Sequence, residues 1–277
     1  MHILKGYTKQ EISWMMYDWA NSAHSVIIVT LLPIFFDTVA GYTADSVSSM
    51  STWGYATSIA MLIVALAAPF LGVFGDIRGM RKKLFSFFML LGVAACAGMA
   101  FTPGMDFTSG PVAAGKVASL ILVLYIVSVI GFDASAIYYD AFLTDVTTED
   151  RMDKVSTMGY GLGYIGGSTI PLLIFLIMNL VGVPMLTCLA FVFGLTAVWW
   201  LAFRLPLLKN CEQTSGKPYE KGDVARSIKG VGTTIKEIIA NKPMLIYILS
   251  YFFYIDGVHT VISMATTYGT NLGLDST

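Results

Sequence analysis

Gly72-Val-Phe-Gly-Asp-Ile-Arg-Gly-Met-Arg-Lys-Lys83 connects one long apolar stretch, residues 51–74, to another, residues 84–103. Both apolar stretches reach the ~20 residues that an α-helix needs to cross a bilayer. The connection itself is basic, with Arg or Lys at four positions from Arg78 to Lys83. The segment therefore predicts a membrane hairpin whose loop stays in the cytoplasm, because loops rich in Lys and Arg are retained there.

Apolar stretches of the same length recur along the whole chain. Seven of them contain no Lys or Arg: residues 13–36, 51–74, 84–103, 117–143, 156–180, 185–203 and 243–268. A hydrophobic content of 56% with only 13% charged residues is far from the composition of a soluble domain. The net charge of −1 gives no indication of a nucleic-acid partner. The sequence predicts an all-α, multi-pass protein of the lipid bilayer.

The basic residues fall on alternate sides of these seven spans. The gaps before the first, third, fifth and seventh spans carry two, four, two and eight Lys and Arg residues, which is sixteen of the seventeen in the chain. Only Lys116 lies in a gap on the other side. We therefore predict a cytoplasmic N-terminus and a location in the cell membrane, inner or plasma.

The gap between the sixth and seventh spans is long and polar. Within it, apolar residues recur at three- and four-residue spacing, with basic residues between them: Val224, Ile228, Val231, Ile235 and Ile238. This pattern favours an amphipathic helix on the inner membrane surface, and a disordered connector is the alternative. A single helix after a linker has no bundle of its own to pack in. We therefore predict a six-helix bundle (residues 1–205), a cytoplasmic linker (206–242) and the first helix of an incomplete second bundle (243–277), in a chain cut short.

The hairpin loop carries an ordered set of residues: Gly72, Asp76, Gly79, Arg81 and Lys82. A tight turn requires glycine, and a carboxylate can cap a helix or pair with a base. The set resembles the cytoplasmic signature of the major facilitator superfamily, although Ile77 stands where that family usually has Arg or Lys. The resemblance implies a gating loop in which Asp76 and Arg81 pair or cap, and exposure would limit any single pair to ~1 kcal/mol or less. A generic basic loop is the alternative.

Three further stretches resemble one branch of that superfamily, the vacuolar effluxer and unknown major facilitator group. They are Trp14–Ala23, Tyr139–Leu143 with Gly159–Gly167, and Tyr254–Ile262. Position 140 carries Asp where that branch more often has Asn. The resemblance implies two six-helix halves, each built of 3+3 inverted repeats, with the first, fourth and seventh helices lining a central cavity. For the full-length protein we expect a monomer.

Ionisable residues inside membrane spans are costly and are functional candidates by default. The candidates for substrate binding or proton coupling are Asp133, Asp256, His24, His259, Asp18, Asp140 and Asn21. Asp133, Asp256 and His24 lie deepest in their spans. We predict that Asp133 and Asp256 face one cavity and that at least one of them couples protons. The alternative for each Asp is structural, such as a hydrogen bond to a neighbouring helix.

Gly159, Gly163 and Gly167 recur every four residues at the start of the fifth span. Faces of small residues let membrane helices approach closely. The pattern distantly resembles the glycine-rich antiporter motif of the fifth helix, but its proline is missing and its closing glycines are displaced. We interpret the glycines as a packing face.

The function we predict is secondary active transport by alternating access, coupled to protons. The resemblance implies efflux of amino acids or similar small polar solutes. No Walker-type nucleotide signature occurs, so we expect no ATP drive, and we expect no cofactor, no metal and no enzyme activity. An intramembrane aspartyl protease would need Gly-x-Gly-Asp, and Val73-Phe-Gly-Asp76 lacks the first glycine. A seven-helix receptor would place its N-terminus outside.

Overall fold

A computed structural model describes residues 4–43, 49–218 and 222–272, without the side chains of residues 223–228, 263, 267, 270 and 271. Its helices are α1 Lys9–Ala40, α2 Ser49–Gly75, α3 Arg81–Met99, α4 Pro111–Val146, α5 Met152–Leu162, α6 Thr169–Leu180, α7 Met185–Phe203, α8 Leu205–Asn210, α9 Asp223–Ala240 and α10 Lys242–Asn271. A π-helical turn, Gly163–Ser168, joins α5 to α6 without a break. These three pieces together form the fifth span.

The described residues include seven helical stretches that are long and apolar enough to cross a membrane. The predicted all-α, multi-pass class is therefore confirmed. The sixth stretch extends to Asn210, beyond the predicted residue 203, because α8 follows α7 directly. Pro206 permits this continuation, since a proline in the first turn of a helix forfeits no intrahelical hydrogen bond.

The linker contains a helix, α9, where the apolar spacing predicts one. The side chains of two residues of that pattern, Val224 and Ile228, lie outside the described part, and so do residues 273–277 of the polar tail. The division of the chain into two bundles and a linker stays a prediction.

The buried core lies among α1, α3, α4 and α7. Its largest fully buried side chains include Tyr17, Phe85, Tyr138 and Trp200. By contrast, α2 and α10 expose most of their large apolar side chains, for example Leu66 and Phe253. Outward apolar faces of this kind are compatible with a bilayer, because lipid solvates apolar side chains as well as a protein core does.

A close helix crossing brings α3 against α4 at two glycines. A Cβ at Gly131 of α4 would lie 2.7 Å from the Cα of Gly92 on α3, and a Cβ at Gly92 would lie 2.6 Å from the Trp200 ring of α7. No real Cβ tolerates such distances. These glycines therefore set the spacing of α3, α4 and α7.

The glycine face of the fifth span lies against α1. A Cβ at Gly163 would lie 2.5 Å from Ser22 Oγ, and one at Gly167 would lie 2.5 Å from the Trp19 carbonyl oxygen. At Gly159 the nearest atom would be Asp18 Oδ2, at 2.6 Å. The fifth span is thus in backbone contact with α1.

The start of α1 is tied to the turn between α4 and α5 by a buried carboxylate. Glu11 accepts two hydrogen bonds from Arg151, at 2.8 and 2.9 Å, and one from Thr147 at 2.7 Å. It also completes a capping box with Thr8, the N-cap residue of α1. One side chain therefore satisfies the helix terminus and joins three helices.

Replacing Gly131 with Ala should destabilise the bundle by about 1–3 kcal/mol, because the added methyl group forces α3 and α4 apart. The matched control is Gly115→Ala in the same helix, where a Cβ meets nothing within 4 Å. The measurement is the thermal unfolding of both variants in detergent, followed by size-exclusion chromatography. Equal unfolding of the two variants would show that the crossing tolerates a methyl group.

Candidate functional site

A cavity of about 550 Å³ opens between α1, α2, α4, the fifth span and α10. Its lining includes Ser22, His24, Ser25, Met61, Tyr125, Phe132, Asp133, Tyr160, Tyr164, Ser168, His259 and Ile262. Small-molecule sites in proteins commonly enclose about 300–1,000 Å³. The size is therefore suitable for a metabolite rather than a single ion.

Three of the predicted site residues meet at this cavity: His24 from α1, Asp133 from α4 and His259 from α10. His24 lies halfway along α1, which runs from Lys9 to Ala40, so the cavity is at mid-depth in the bundle. The first, fourth and seventh spans thus contribute to one space, together with the second and fifth.

The other predicted residues lie elsewhere. Asp256 is exposed on α10, three residues before His259, and is absent from the cavity lining. Asn21 is buried within α1. Asp18 is half-buried against the backbone of Gly159 and within electrostatic range of Asp140, which is exposed on α4. Asp18 and Asp140 thus form a second acidic group, separate from the cavity.

His24 is held by aromatic rings rather than by hydrogen bonds. Its ring stacks on Phe132 with centroids 4.7 Å apart and contacts Trp200 at 5.1 Å. The residue is 4% exposed, and neither ring nitrogen has a hydrogen-bond partner among the described residues. An unpaired buried polar group costs about 1–3 kcal/mol, so His24 is a candidate for a functional position.

Tyrosines make up much of the remaining polar surface, and the sequence analysis did not identify them. The Tyr125 hydroxyl lies 3.0 Å from Thr57 Oγ1, and the Tyr160 and Tyr164 hydroxyls lie 3.1 Å apart. Tyr164 belongs to the π-helical turn, a feature that is frequent at functional sites. Tyr residues are common in membrane spans. Their presence in the sequence therefore did not identify these three tyrosines as site residues.

Asp133 is half-buried at the cavity wall. Within the part of the chain that the structure describes, its carboxylate has no hydrogen-bond or ion-pair partner. The carboxylates of Glu11 and Asp145 are, by contrast, each surrounded by several donors. The described residues therefore provide neither a counter-charge nor a hydrogen-bond donor for the Asp133 carboxylate.

The second candidate site is the gating loop between α2 and α3, and here one prediction needs correction. We expected Asp76 and Arg81 to be exposed, but Arg81 is only 4% exposed. Asp76, with 82% of its side chain exposed, lies 3.8 Å from the guanidinium. The main partner of Arg81 is Asp145 at the end of α4, whose side chain is fully buried. The sequence analysis missed Asp145 because it falls just beyond the predicted fourth span.

The segment of residues 211–217, which we term the strap, fastens this loop. Asp145 accepts hydrogen bonds from Thr214 N at 3.1 Å and Ser215 N at 2.8 Å. Gln213 accepts one from Gly79 N at 2.8 Å and donates one to the Gly75 carbonyl oxygen at 2.9 Å. The strap therefore bridges the gating loop to the end of α4.

Of the two glycines predicted to form the turn, Gly72 and Gly79, only Gly79 lies in it. Gly79 adopts a φ of 80°, which other residues rarely adopt, so this glycine is required by the backbone. Gly72 lies inside α2, so the expectation that it forms a turn is wrong. Lys82 donates a hydrogen bond to the Leu208 carbonyl oxygen at 2.9 Å and thereby holds the end of α8.

Cys211 begins the strap and is fully buried. Its thiol lies 3.6 Å from the Gln10 carbonyl oxygen of α1. Burial raises the pKa of this thiol to about 11. Since only the thiolate reacts with alkylating reagents, Cys211 is chemically protected while the strap is in place.

Comparisons with known proteins agree on one family. The sequence family described as "Vacuole effluxer Atg22 like" matches residues 40–151 and 144–276. The chain is 40% identical to the uncharacterized MFS-type transporter YxiO of Bacillus subtilis, over 99% of this chain and 63% of that protein. Autophagy-related protein 22-1 of Sclerotinia sclerotiorum is 26% identical over 42% of this chain and 22% of its own length. Its counterpart in Penicillium rubens is 26% identical over 42% of this chain and 21% of its own length.

Removing the Asp145 charge should release the strap, whereas removing the Asp76 charge should not. Asp145→Asn breaks a buried ion pair, at a cost of about 3–5 kcal/mol, and Asp76→Asn removes an exposed partner worth less than about 1 kcal/mol. The readout is maleimide labelling of Cys211 in a Cys96→Ala, Cys188→Ala background. Labelling should accelerate at least tenfold in Asp145→Asn, because the freed thiol returns toward the ordinary pKa of about 8.5.

Gln213→Ala tests the same strap without removing a buried charge. Its control is Glu212→Ala, because Glu212 is the exposed neighbour in the strap. Equal labelling rates for Asp145→Asn and Asp76→Asn, and for the two strap variants, would contradict the fastening role.

Proposed function

We propose a transport function from an established premise: the chain belongs to the vacuole effluxer Atg22-like family of major facilitator transporters. The chain spans 63% of the length of its Bacillus subtilis relative, so the activity proposed is that of the whole protein. We propose secondary active transport by alternating access, in which two halves rock around a site at mid-depth.

The observation that carries this proposal is the uncompensated Asp133 at the mid-depth cavity. A charged side chain at the centre of a membrane helix costs about 2.5–3.5 kcal/mol even on the lenient insertion scale. A protein retains it where water, a proton or a substrate compensates the charge in the working cycle. Asp133 is accordingly proposed as the coupling carboxylate, which is protonated in one state and ionised in another.

The remaining candidates have assigned roles in the proposal. His24 and His259 share the cavity with Asp133 and are proposed as its polar partners during the cycle. Asp256 would reach the cavity by rotation or displacement of α10. Asp18, Asn21 and Asp140 are proposed as a path for protons or solute between the cavity and the basic end, where the gating loop and strap lie.

The gating loop and strap are proposed to stabilise one orientation of the transporter. The basic loops predict that this end is cytoplasmic, with a cytoplasmic N-terminus in the cell membrane. The ion pair of Arg81 with Asp145 and the contacts of Gln213 must then break and re-form in each cycle. Gly72, Gly79 and Lys82 belong to the same gate, and Gly159, Gly163 and Gly167 form the packing face beneath the cavity.

The substrate class proposed is amino acids or similar small polar solutes, which a cavity of about 550 Å³ accommodates. The family description, which names an effluxer, supports export as the direction. We propose a monomer that needs only its solute, protons and the lipid bilayer. The family description and the name of the Bacillus subtilis relative denote transporters and not enzymes, which removes the aspartyl protease from consideration.

In proteoliposomes of the full-length protein, Asp133→Asn should abolish accumulation driven by a pH gradient but preserve downhill exchange. The amide cannot release a proton, so the gradient no longer drives the cycle, while a neutral site can still move solute. Asp256→Asn tests the second predicted carboxylate in the same assay. Asp106→Asn, in the exposed loop before α4, is the control. Gradient-driven accumulation in both Asp133→Asn and Asp256→Asn would return the two residues to a structural role.

A further inference from the structure

The charged residues in the described lining of the cavity are of one sign, negative. Asp133 is the only acidic residue among the described lining residues, and none of those residues is Lys or Arg. The remaining titratable groups there are His24 of α1, Tyr125 of α4, Tyr160 and Tyr164 of the fifth span, and His259 of α10. The described lining therefore offers one carboxylate and no Lys or Arg.

Two buried carboxylates elsewhere in this bundle already have cations of their own. Asp145 is paired with Arg81, and Glu11 holds Arg151 through two hydrogen bonds. The carboxylate of Asp133 has no such partner in the described residues. What it lacks is a positive donor group, and a bound ligand can supply one.

Aromatic rings surround the same space. Phe132, Tyr125, Tyr160 and Tyr164 all contribute to the lining. The faces of aromatic rings attract organic cations, and this attraction is strongest where water is excluded. The Tyr125 hydroxyl is hydrogen-bonded to Thr57, and the Tyr160 and Tyr164 hydroxyls are hydrogen-bonded to each other. Rings and carboxylate together suit an ammonium group attached to an apolar body.

A negatively charged ligand group finds much weaker support. Both nitrogens of His24 are enclosed by protein, with Phe132 stacked on the ring, so they offer no donor to the cavity in this state. His259 is the one other imidazole of the described lining, and it belongs to α10. A free carboxylate would therefore enter a low-dielectric space beside Asp133 without a permanent counter-charge, which is unfavourable.

We propose that the cavity binds small organic cations, namely protonated amines without a free carboxylate, and that Asp133 anchors their ammonium group. This inference rests on the proposed transport function. Among the small polar solutes proposed there, it selects amines and excludes amino acids with a free carboxylate. Because one carboxylate holds either a proton or the amine, the two exclude each other. The consequence is exchange of a proton for an amine across the membrane.

The test compares three compounds that share one side chain: leucinamide (a cation), leucine (a zwitterion) and N-acetylleucine (an anion). Their binding to the full-length protein in detergent is measured by competition with radiolabelled leucinamide. We expect leucinamide to bind at least tenfold more tightly than N-acetylleucine, and more tightly than leucine. Its affinity should fall as the pH is lowered, because a proton on Asp133 removes the charge that binds the amine.

Asp133→Asn should weaken leucinamide binding at least tenfold and abolish its pH dependence, and Asp133→Glu should restore part of both. Asp106→Asn is the control, since Asp106 lies in an exposed loop outside the cavity. Loss of binding with an unchanged elution profile and thermal midpoint separates this role from misfolding.

Tighter binding of leucine or N-acetylleucine than of leucinamide would overturn the proposal, and so would leucinamide binding that Asp133→Asn leaves intact. No binding of any of the three compounds overturns it as well. Transport assays distinguish failure of this proposal from failure of the proposed function. If the protein transports leucine but not leucinamide, the transport function stands and the preference for organic cations is wrong. A protein that accumulates no solute under a pH gradient loses the proposed function.

Discussion

Every ionised group in this bundle has to find a counter-charge or a donor, because the surrounding bilayer offers neither. At the basic end the requirement is met within the protein. Arg81 lies beside Asp145, and Glu11 collects donors from Arg151, Thr147 and Thr8. These contacts fix the ends of α1, α3 and α4 relative to one another. The architecture of the gate follows from that constraint.

The same constraint distinguishes the cavity from the rest of the molecule. There, Asp133 and His24 have no hydrogen-bond partners within the described residues. A structural site would not be expected to retain two unsatisfied groups at mid-depth, whereas a transport site gains from them. A substrate or a proton can pair with such unsatisfied groups. Binding then relieves the free-energy penalty of leaving these groups unpaired in the folded protein. Proton coupling and cation selectivity would then both depend on Asp133.

Close helix contacts make this arrangement possible. Gly92 and Gly131 set the spacing of α3 and α4, and Gly163 and Gly167 bring the fifth span onto α1. The π-helical turn of the fifth span begins at Gly163, on the same face, and carries Tyr164 to the cavity. Packing and site are therefore coupled, since the glycines that let the helices approach also position the cavity wall.

The periodicity and charge pattern of the sequence were sufficient for the seven spans and the all-α class, because these depend on local composition. Depth along a span could also be read from sequence, and three of the candidates chosen in this way, His24, Asp133 and His259, line one cavity. Rotation about the helix axis could not be read so well. Asp256 was expected beside Asp133, yet it is exposed on α10 and His259 takes its place at the cavity.

The sequence by itself thus determined how often the chain can cross the membrane, which residues are costly there and which family it resembles. Only the tertiary structure decided which charges are compensated. The partners of Arg81 and Glu11 are 64 and 140 residues away along the chain, and no local pattern reports contacts over such separations. The strap was likewise invisible in the sequence, because its contacts depend on where α4 ends in space. Compensation is a property of neighbours, and the neighbours of these residues are set by how the helices pack.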